Sequence, residues 1–586
     1  MRQRRTSIQW IKRRLRAPFR LRALLRRDEI AFALLALCVG IGAGLSVLLW
    51  EIVLRAMSQI IFNFEGYDTS GQLALDPWRV LLGPVVGGGL LTLSYLVARR
   101  YFARVSDPIE ANALRGGQMQ VGGSLFISFQ TLVSSAFGAS VGMEAAYTQT
   151  ASGLASALGQ KMRLRREDLR YLVAAAAGAA VAAAFNAPMT GAFYAFELVI
   201  AAYTSAALLP VLAAAIGAVG TVRLLAEPEG FNLHFAGQLP AHTYVAIILL
   251  SLVCALIGIL VMRSVGLIER VLARSPIPGL FHPVLGGIAV GIMALATPQI
   301  LSSGHGALNI VLAENPAPLV LLVLLVLKCV ASAISIGSGF RGGLFFASLL
   351  LGAVAGKLFA IIWLVAFGLD VPIVLLSVVG MCAMATAIIG APLTMSLLAL
   401  ETTASLPLTL AVLISSLIAT ATVRRLFGFS FATWRFHLRG EAIRSAADIG
   451  WLRELSVGRL VRRHSPTMPA TITLAEGQRR VPLGSTKYVA LVDDLGGYTA
   501  LLSVSDLHSE TQNLTREVRS LATQAEHHLL PDQNVRDALA KFARDETDVL
   551  AVLTSVEDRR PLGLLTEQYC LRRYTEEMNK RLYPSK

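Results

Sequence analysis

The sequence has little charge for its length. Asp, Glu, Lys and Arg make up 16% of the 586 residues, whereas soluble domains average about 25%. Hydrophobic residues reach 54%, and the mean hydropathy is +0.60. This balance excludes disordered and collagen-like chains and an ordinary soluble protein of this length. The class of protein that fits this composition is a multispanning membrane protein with a soluble domain attached.

The sequence also lacks the motifs of common enzymes and metal proteins. Its five cysteines include no CxxC spacing, so neither a zinc site nor a disulfide framework is predicted. It contains no HExxH, no nucleophile elbow and no phosphate-binding P-loop. We therefore expect no enzymatic activity, no metal and no resident cofactor.

Acidic residues are absent from the first 27 positions, which hold eleven Lys or Arg. Lys and Arg collect on the cytoplasmic flank of first membrane spans, and a basic helix suits an anionic membrane surface. Residues 1–29 are therefore predicted to be a basic cytoplasmic segment beside the membrane. No nucleic-acid partner is expected.

Long uncharged runs follow this segment. About 20 helical residues span the hydrocarbon, and runs of that length or longer occupy residues 30–50, 243–262, 371–400 and 402–423. Other apolar pieces are predicted to be too short or too interrupted to cross alone, among them 124–137, 188–200 and 344–356. Broken helices at membrane depth indicate a substrate site in a transport protein. We assign residues 30–440 to an all-α multispanning membrane domain.

An internal repeat supports two related halves. Ala187-Pro188 is followed by Glu197, and Ala391-Pro392, 204 residues later, is followed by Glu401 at the same distance. Each Ala-Pro opens an apolar helical stretch, because proline fits the first helical turn. Duplicated halves of transporters are often inverted. The two glutamates are interpreted as residues that hold helices together at an interface.

The composition changes after about residue 436. Residues 441–586 are charged and contain no possible span. Strands are predicted at 487–492, 498–503, 549–553 and 561–565, and helices at 505–508, 535–542 and 567–574. This pattern predicts a cytoplasmic α/β module of two similar halves, and an even number of membrane crossings.

Two glycine-rich segments carry the expected chemistry of the membrane domain. Glu144 lies in FGASVGMEAA, and an acid among apolar runs is a functional candidate. Arg341 lies in SGFRGGLFF, which opens a helix, and free N–H groups at a helix start can hold an anion. Arg341 either attracts anions or pairs with a nearby acid, and the sequence leaves both readings open.

Residues 178–191, GAAVAAAFNAPMTG, resemble the Gly-x-x-x-Ala-x-x-Phe-Asn-Ala-Pro-x-x-Gly segment of the CLC chloride channels and chloride/proton exchangers. Gly142-Met143-Glu144 stands where that family has Gly-Lys/Arg-Glu-Gly-Pro, and Gly342-Gly343-Leu344-Phe345 where it has Gly-Gly-x-Phe-x-Pro. The resemblance covers residues 30–440, and residues 441–586 resemble the paired CBS domains of many members.

The resemblance implies a CLC-like fold of two inverted repeats in a homodimer at the inner membrane, with both termini cytoplasmic. It implies that backbone N–H groups at half-helix N-termini bind the anion. Glu144 would be the gate, a tethered carboxylate that competes with chloride. The implied anion-binding positions are Val105, Ser106, Met143, Ala145, Leu344, Phe345 and Ala432.

Some of these positions depart from the family pattern. The internal proton acceptor of the exchangers would stand at Leu198, which carries no proton. The pore serine aligns with Val105, or with Ser106 if the register shifts by one, and the tyrosine of the last membrane helix aligns with Ala432. These replacements favour a wider inner pathway. We therefore expect a passive chloride channel gated by Glu144.

Three other readings stay open at this point. Chloride/proton exchange by a non-standard internal route is compatible with the sequence, since water or Glu197 can replace the missing acid. A relative that transports another anion, such as fluoride or nitrate, is the second, because selectivity depends on backbone geometry. A membrane sensor that transports nothing is the third.

Paired CBS domains often bind adenine nucleotides. The candidate ribose-binding acids are Asp506 in the first half and Glu567 in the second. There is no glycine-rich phosphate loop, and the first half departs from the pattern around residues 472–480. A structural or dimer-stabilising role is therefore expected, rather than nucleotide binding.

Overall fold

The computed structural model describes residues 28–64, 66, 68–101, 105–226, 240–314, 316–428, 430–431, 434, 456–463, 465–509, 513–523 and 527–573. The chain divides into two compact units, Met1–Ala447 and Asp448–Lys586. The predicted basic segment 1–29 lies almost wholly outside the described residues, and so does the predicted domain boundary at 440.

The first unit is helical throughout its described part. Its helices are α1 (Glu29–Phe62), α2 (Pro77–Tyr101), α3 (Pro108–Leu114), α4 (Val121–Ala136), α5 (Glu144–Met162), α6 (Arg166–Phe185), α7 (Pro188–Tyr194), α8 (Ser205–Leu225), α9 (Ala241–Arg274), α10 (His282–Ala294), α11 (His305–Ala313), α12 (Pro318–Gly337), α13 (Phe345–Phe367), α14 (Ile373–Ile389), α15 (Pro392–Thr403) and α16 (Leu406–Leu426). Two hydrophobic cores form, one mainly from α1, α5, α6 and α8, the other mainly from α9 and α12 to α16.

Eight of the described helices are long and apolar enough to cross a membrane, which confirms the multispanning prediction. The prediction that 344–356 is too short was wrong, because α13 continues to Phe367. Lys357, which interrupts the apolar run, does not end the helix. Its Nζ donates to the carbonyls of Val311, at 2.6 Å, and Glu314 at the C-terminal end of α11, so the charge is buried against carbonyl dipoles.

Other apolar stretches are broken, as predicted. The uncharged run 371–400 is two helices, because α14 ends at Gly390 in the left-handed conformation (φ 89°) and Pro392 opens α15. Helix α7 has seven residues and passes into a π-helical turn, Ala195–Ile200. These breaks place helix ends inside the unit.

The segment GAAVAAAFNAPMTG packs α6 directly on α7. A Cβ atom at Gly178 would lie 2.4 Å from the carbonyl oxygen of Gly191, and one at Gly191 would lie 2.3 Å from that of Gly178. Only glycine allows this approach of the two backbones. The two glycines therefore mark the point at which α6 and α7 cross in close contact.

The two repeated Ala-Pro helices bind each other's glutamate. Glu401, near the end of α15, accepts the N–H groups of Met189 (2.7 Å) and Thr190 (2.9 Å) and the Thr190 hydroxyl (2.6 Å) at the start of α7. Glu197, in the π-helical turn after α7, accepts the equivalent groups of Leu393 and Thr394 at the start of α15, at 3.0, 2.8 and 2.6 Å. The interpretation that both carboxylates hold helices together is confirmed.

The second unit contains α17 (Val457–Leu460), α18 (Leu474–Arg480), α19 (Val504–Ser509), α20 (Val535–Arg544) and seven strands. The strands are β1 (Arg462–Arg463), β2 (Thr467–Pro469), β3 (Tyr488–Val492), β4 (Tyr498–Ser503), β5 (His528–Leu529), β6 (Val549–Leu553) and β7 (Pro561–Thr566). One sheet has the order β2-β3-β4 and the other β1-β7-β6-β5. In each, a parallel pair leads into an antiparallel hairpin, so the prediction of two similar halves is confirmed.

Candidate functional site

Two glycine segments, from the two halves of the first unit, meet side by side. Gly142 N–H donates to the Gly343 carbonyl at 2.9 Å, and Gly343 N–H donates to the Gly142 carbonyl at 3.2 Å. Gly142 lies two residues before α5, and Gly343 lies two residues before α13. The pairing therefore brings the N-termini of α5 and α13 together.

Glu144 is the first residue of α5, and its carboxylate lies at the start of α13. Its Oε1 accepts the backbone N–H of Phe346 at 2.9 Å, and the residue is only 6% exposed. Its Oε2 is buried and has no hydrogen-bond partner among the described residues. Free N–H groups and the helix dipole favour an anion at a helix N-terminus. The Glu144 carboxylate is thus itself an anion bound at the N-terminus of α13.

The flanking glycines leave room for this carboxylate. A Cβ atom at Gly142 would lie 2.2 Å from Oε2 of Glu144, and a Cβ atom at Gly343 would lie 2.9 Å from it. Any side chain at Gly142 therefore displaces the carboxylate from its place.

The structure gathers most of the predicted N–H positions around Glu144. Met143 is the N-cap residue of α5, and Leu344 is the N-cap residue of α13. Ala145 and Phe345 follow within the first turns of the two helices. The donor that contacts the carboxylate is Phe346, which the sequence analysis missed. Phe346 could have been predicted from its position as the second residue of α13, because the N–H groups in the first turn of a helix have no partner within the helix.

Val105 and Ser106, two of the implied anion-binding positions, lie in the loop before α3, which we call the inner loop; it packs against the side of α5. The Gln149 side chain donates from Nε2 to the Ser106 carbonyl at 3.0 Å and to Ser124 Oγ at 3.2 Å. The Val105 side chain packs on Gly123, whose added Cβ would lie 2.6 Å from it. Helix α5 therefore carries Glu144 at its start and holds the inner loop one turn further on. Ala432, the remaining predicted position, lies outside the described residues.

Leu198 is buried in the π-helical turn Ala195–Ile200. Its neighbour Glu197 is the acid that could replace the missing proton acceptor. The Glu197 carboxylate already accepts two backbone N–H groups and one hydroxyl from the start of α15. These three hydrogen bonds engage the carboxylate in the contact between the two repeated helices.

A cavity of about 650 Å³ is lined by neighbours of Glu144. Its lining includes Met143, Tyr147, Phe346, Asp68 and His305. The His305 ring lies 4.8 Å from the Phe346 ring, measured between centroids. The cavity therefore extends to Phe346, the residue whose N–H binds Glu144.

Arg341 has no carboxylate partner in the part of the chain that the structure describes. Its guanidinium carbon lies 5.6 Å from the centroid of the Tyr95 ring, a distance at which a cation is attracted to an aromatic face. Its backbone N–H donates to Ser134 Oγ at 3.0 Å. Of the two readings of Arg341, pairing with a nearby acid is not found among these residues.

The predicted nucleotide-binding acids occupy equivalent places in the two halves of the second unit. Asp506 lies in the first turn of α19, directly after β4. Glu567 follows β7 and begins a helical stretch, and its N–H donates to the Asp548 carbonyl at 2.9 Å. Across all described residues, no three His, Cys, Asp or Glu side chains form a group that could hold a metal ion.

The fold and the site together define a multispanning membrane protein in which broken helices of two related halves meet at a tethered carboxylate. A sequence model described as "Voltage gated chloride channel" matches residues 78–424. The chain belongs to this family, the CLC family.

Individual relatives agree with this assignment. The chain is 32% identical over 403 residues to a protein of Ralstonia nicotianae named "Putative chloride channel protein ClcB-like", covering 66% of this chain and 92% of that protein. A slow cyanobacterial Cl⁻/H⁺ antiporter shares the fold with a TM-score of 0.59 and 20% identity, over 71% of this chain and 98% of its own. A eukaryotic CLC transporter also shares the fold, with a TM-score of 0.59 and 18% identity, over 94% of this chain and 98% of its own.

Proposed function

We propose that the chain conducts chloride passively across the membrane and that Glu144 is its gate. The observation that carries this proposal is the hydrogen bond from the Phe346 N–H to Glu144 Oε1 at 2.9 Å. A carboxylate that binds where an anion would bind closes the pathway to anions. A backbone N–H carries only a partial charge, so an anion bound there leaves again more readily than it leaves a lysine or arginine.

Competition between chloride and the carboxylate is the mechanism of the gate. Both are anions, and like charges repel strongly where water is scarce. Chloride and the charged Glu144 side chain therefore exclude each other at the start of α13. Protonation of Glu144, or its displacement by chloride from the cavity, opens the pathway.

Two observations favour passive conduction over chloride/proton exchange. Leu198 stands where exchangers of the family have an internal proton acceptor, and leucine binds no proton. Glu197, the nearest substitute, binds two N–H groups and one hydroxyl of α15, so its carboxylate already holds two helices together. Exchange by another internal route is the alternative, and the antiporter named above shares only the fold.

Reconstitution into liposomes with opposing chloride and pH gradients tests the proposal. We expect a reversal potential that follows the chloride gradient alone, because no proton accompanies the anion. The same liposomes with fluoride or nitrate measure the anion preference. A reversal potential displaced by the pH gradient establishes exchange instead. A protein with no flux in either assay contradicts transport and favours a sensor.

The remaining assignments follow from the family and are proposed with it. The protein functions as a homodimer in the inner membrane, with one pathway in each protomer and both termini in the cytoplasm. The second unit acts as a structural module without bound adenine nucleotide, since its sequence has no glycine-rich phosphate loop. We expect no thermal shift of the purified protein with ATP, ADP or AMP, and a shift of a few degrees would contradict this role.

A further inference from the structure

A groove of about 590 Å³ lies at the end of α9, next to the end of α16. Its lining includes Arg263 and Arg270 of α9, together with Phe427 and Trp434, which follow α16. The two aromatic rings lie 6.0 Å apart, measured between centroids. The groove shares no described lining residue with the cavity near Glu144. It is therefore a separate candidate site on the membrane domain.

Both arginines lie at the level expected for lipid headgroups. Arg263 directly follows the uncharged run 243–262, and a helix of that length spans the hydrocarbon, which is about 30 Å thick. Arg270 lies two helical turns further, about 10 Å along the helix axis. Both residues are exposed. A cation at this level can bind a lipid phosphate while it stays close to water.

Exposed leucines lie on the same face of α9 as the two arginines. Leu260 and Leu267 line the groove, and each is more than half exposed. Residues 260, 263, 267 and 270 follow one another at intervals of three or four, so they form one stripe on the helix. The stripe offers apolar surface to acyl chains and cations to a phosphate, which are the two parts of a phospholipid.

Gly266 brings the aromatic and the cationic parts of the groove together. The Trp434 ring packs on this glycine, since an added Cβ atom would lie 2.9 Å from it. The Nε of Arg270 donates to the Gly266 carbonyl at 3.0 Å, which places the guanidinium at the same residue as the indole. Tryptophan is enriched at the level of the headgroups, and the planar guanidinium matches the geometry of a phosphate.

The groove carries more positive than negative charge. Its lining contains two arginines and one acid, Glu269. The same helix ends hold Arg274, in the last turn of α9, and Arg424 and Arg425, in the last turn of α16. Basic pockets between membrane helices bind anionic headgroups. A zwitterionic lipid carries a cation of its own, so this groove should favour a lipid with net negative charge.

We propose that the groove binds an anionic phospholipid, with the phosphate between Arg263 and Arg270 and an acyl chain along Leu260 and Leu267. The lipid belongs to the leaflet that surrounds the ends of α9 and α16. Because it contacts α9 and the residues that follow α16, it stabilises the membrane domain. This inference goes beyond the proposed function and is independent of whether the chain conducts chloride or exchanges it for protons.

Native mass spectrometry of the full-length protein, after removal of bound lipid, tests the inference with phosphatidylglycerol and phosphatidylcholine at equal concentrations. We expect tighter binding of phosphatidylglycerol, and a higher unfolding temperature in its presence. An anionic lipid attracts each nearby arginine by an energy that corresponds to about a fivefold change in affinity. Arg263→Gln and Arg270→Gln should therefore each lower the affinity for phosphatidylglycerol about fivefold, and the double variant about 25-fold.

Arg274→Gln is the matched control, because it removes the same charge from the same helix end but from outside the groove lining. Its affinity for phosphatidylglycerol should equal that of the wild type. An equal loss in Arg274→Gln would indicate diffuse attraction without a site, and equal binding of the two lipids by the wild type would indicate no preference; either result would overturn the inference. Inorganic phosphate at the same concentration should not stabilise the protein, and equal stabilisation would assign the groove to a free anion instead.

Quenching of tryptophan fluorescence gives a second readout that does not need the arginine variants. Brominated acyl chains quench nearby indoles, and the difference in quenching between the wild type and Trp434→Phe isolates the signal of Trp434. We expect stronger quenching of Trp434 by brominated phosphatidylglycerol than by brominated phosphatidylcholine, and equal quenching would contradict the inference. Absence of chloride flux would refute the proposed function but would leave these lipid measurements unchanged.

Discussion

Chloride flux through the Glu144→Gln variant should be constitutive and independent of pH. Glutamine keeps the size of the side chain but removes the charge that competes with chloride for the N–H groups of α13. A carboxylate that occupies the site nine-tenths of the time lowers flux about tenfold, so we expect a rise of about tenfold at neutral pH. In the wild type, flux should increase as the pH falls, because protonation neutralises the same carboxylate. Efflux from chloride-loaded liposomes at several pH values measures both effects.

The variant Gly142→Ala provides an independent way to displace the gate. Its new Cβ atom would lie 2.2 Å from Glu144 Oε2, so the carboxylate must leave its place although its charge is intact. We expect raised flux at neutral pH, with part of the pH dependence retained. The control is Gly42→Ala, where an added Cβ meets no atom within 4 Å. If the chloride flux of Glu144→Gln kept the wild-type pH dependence, Glu144 would not be the gate.

Loss of the Glu401 carboxylate should strongly destabilise the membrane domain. Glu401→Ala leaves two N–H groups and one hydroxyl at the start of α7 without their acceptor. Hydrogen bonds to charged groups contribute about 1.5–3 kcal/mol each, and losses within one network are not additive. We expect a loss of about 3 kcal/mol in the free energy of unfolding. Thermal unfolding in detergent measures the loss.

The repeat supplies a matched variant for this prediction. Glu197→Ala removes the equivalent acceptor from α15 and should destabilise the protein by a similar amount. Glu29→Ala, at an exposed position in the first turn of α1, should leave the stability unchanged. If Glu401→Ala and Glu29→Ala unfold at the same temperature, the carboxylates do not hold the two helices together.

Local patterns in the sequence predicted the elements of the fold well. Uncharged length indicated membrane helices, because spanning the hydrocarbon sets a minimum run of residues. Glycine and proline indicated the breaks before α5, α7, α13 and α15, because each residue restricts or frees its own backbone. The length of α13 was predicted wrongly because Lys357 was expected to end the apolar run. The carbonyls that accept hydrogen bonds from Lys357 lie 46 and 43 residues away in the sequence.

The composition, the motif at residues 178–191 and the repeated Ala-Pro spacing were sufficient to identify the class, the two halves and Glu144 as the candidate gate. These properties depend on residues that are close together in the sequence. Only the tertiary structure decided that Phe346 is the donor to Glu144, 202 residues away, and that each repeat glutamate binds the other repeat's helix. Such contacts depend on which distant segments meet in the folded chain, and no local pattern contains that information.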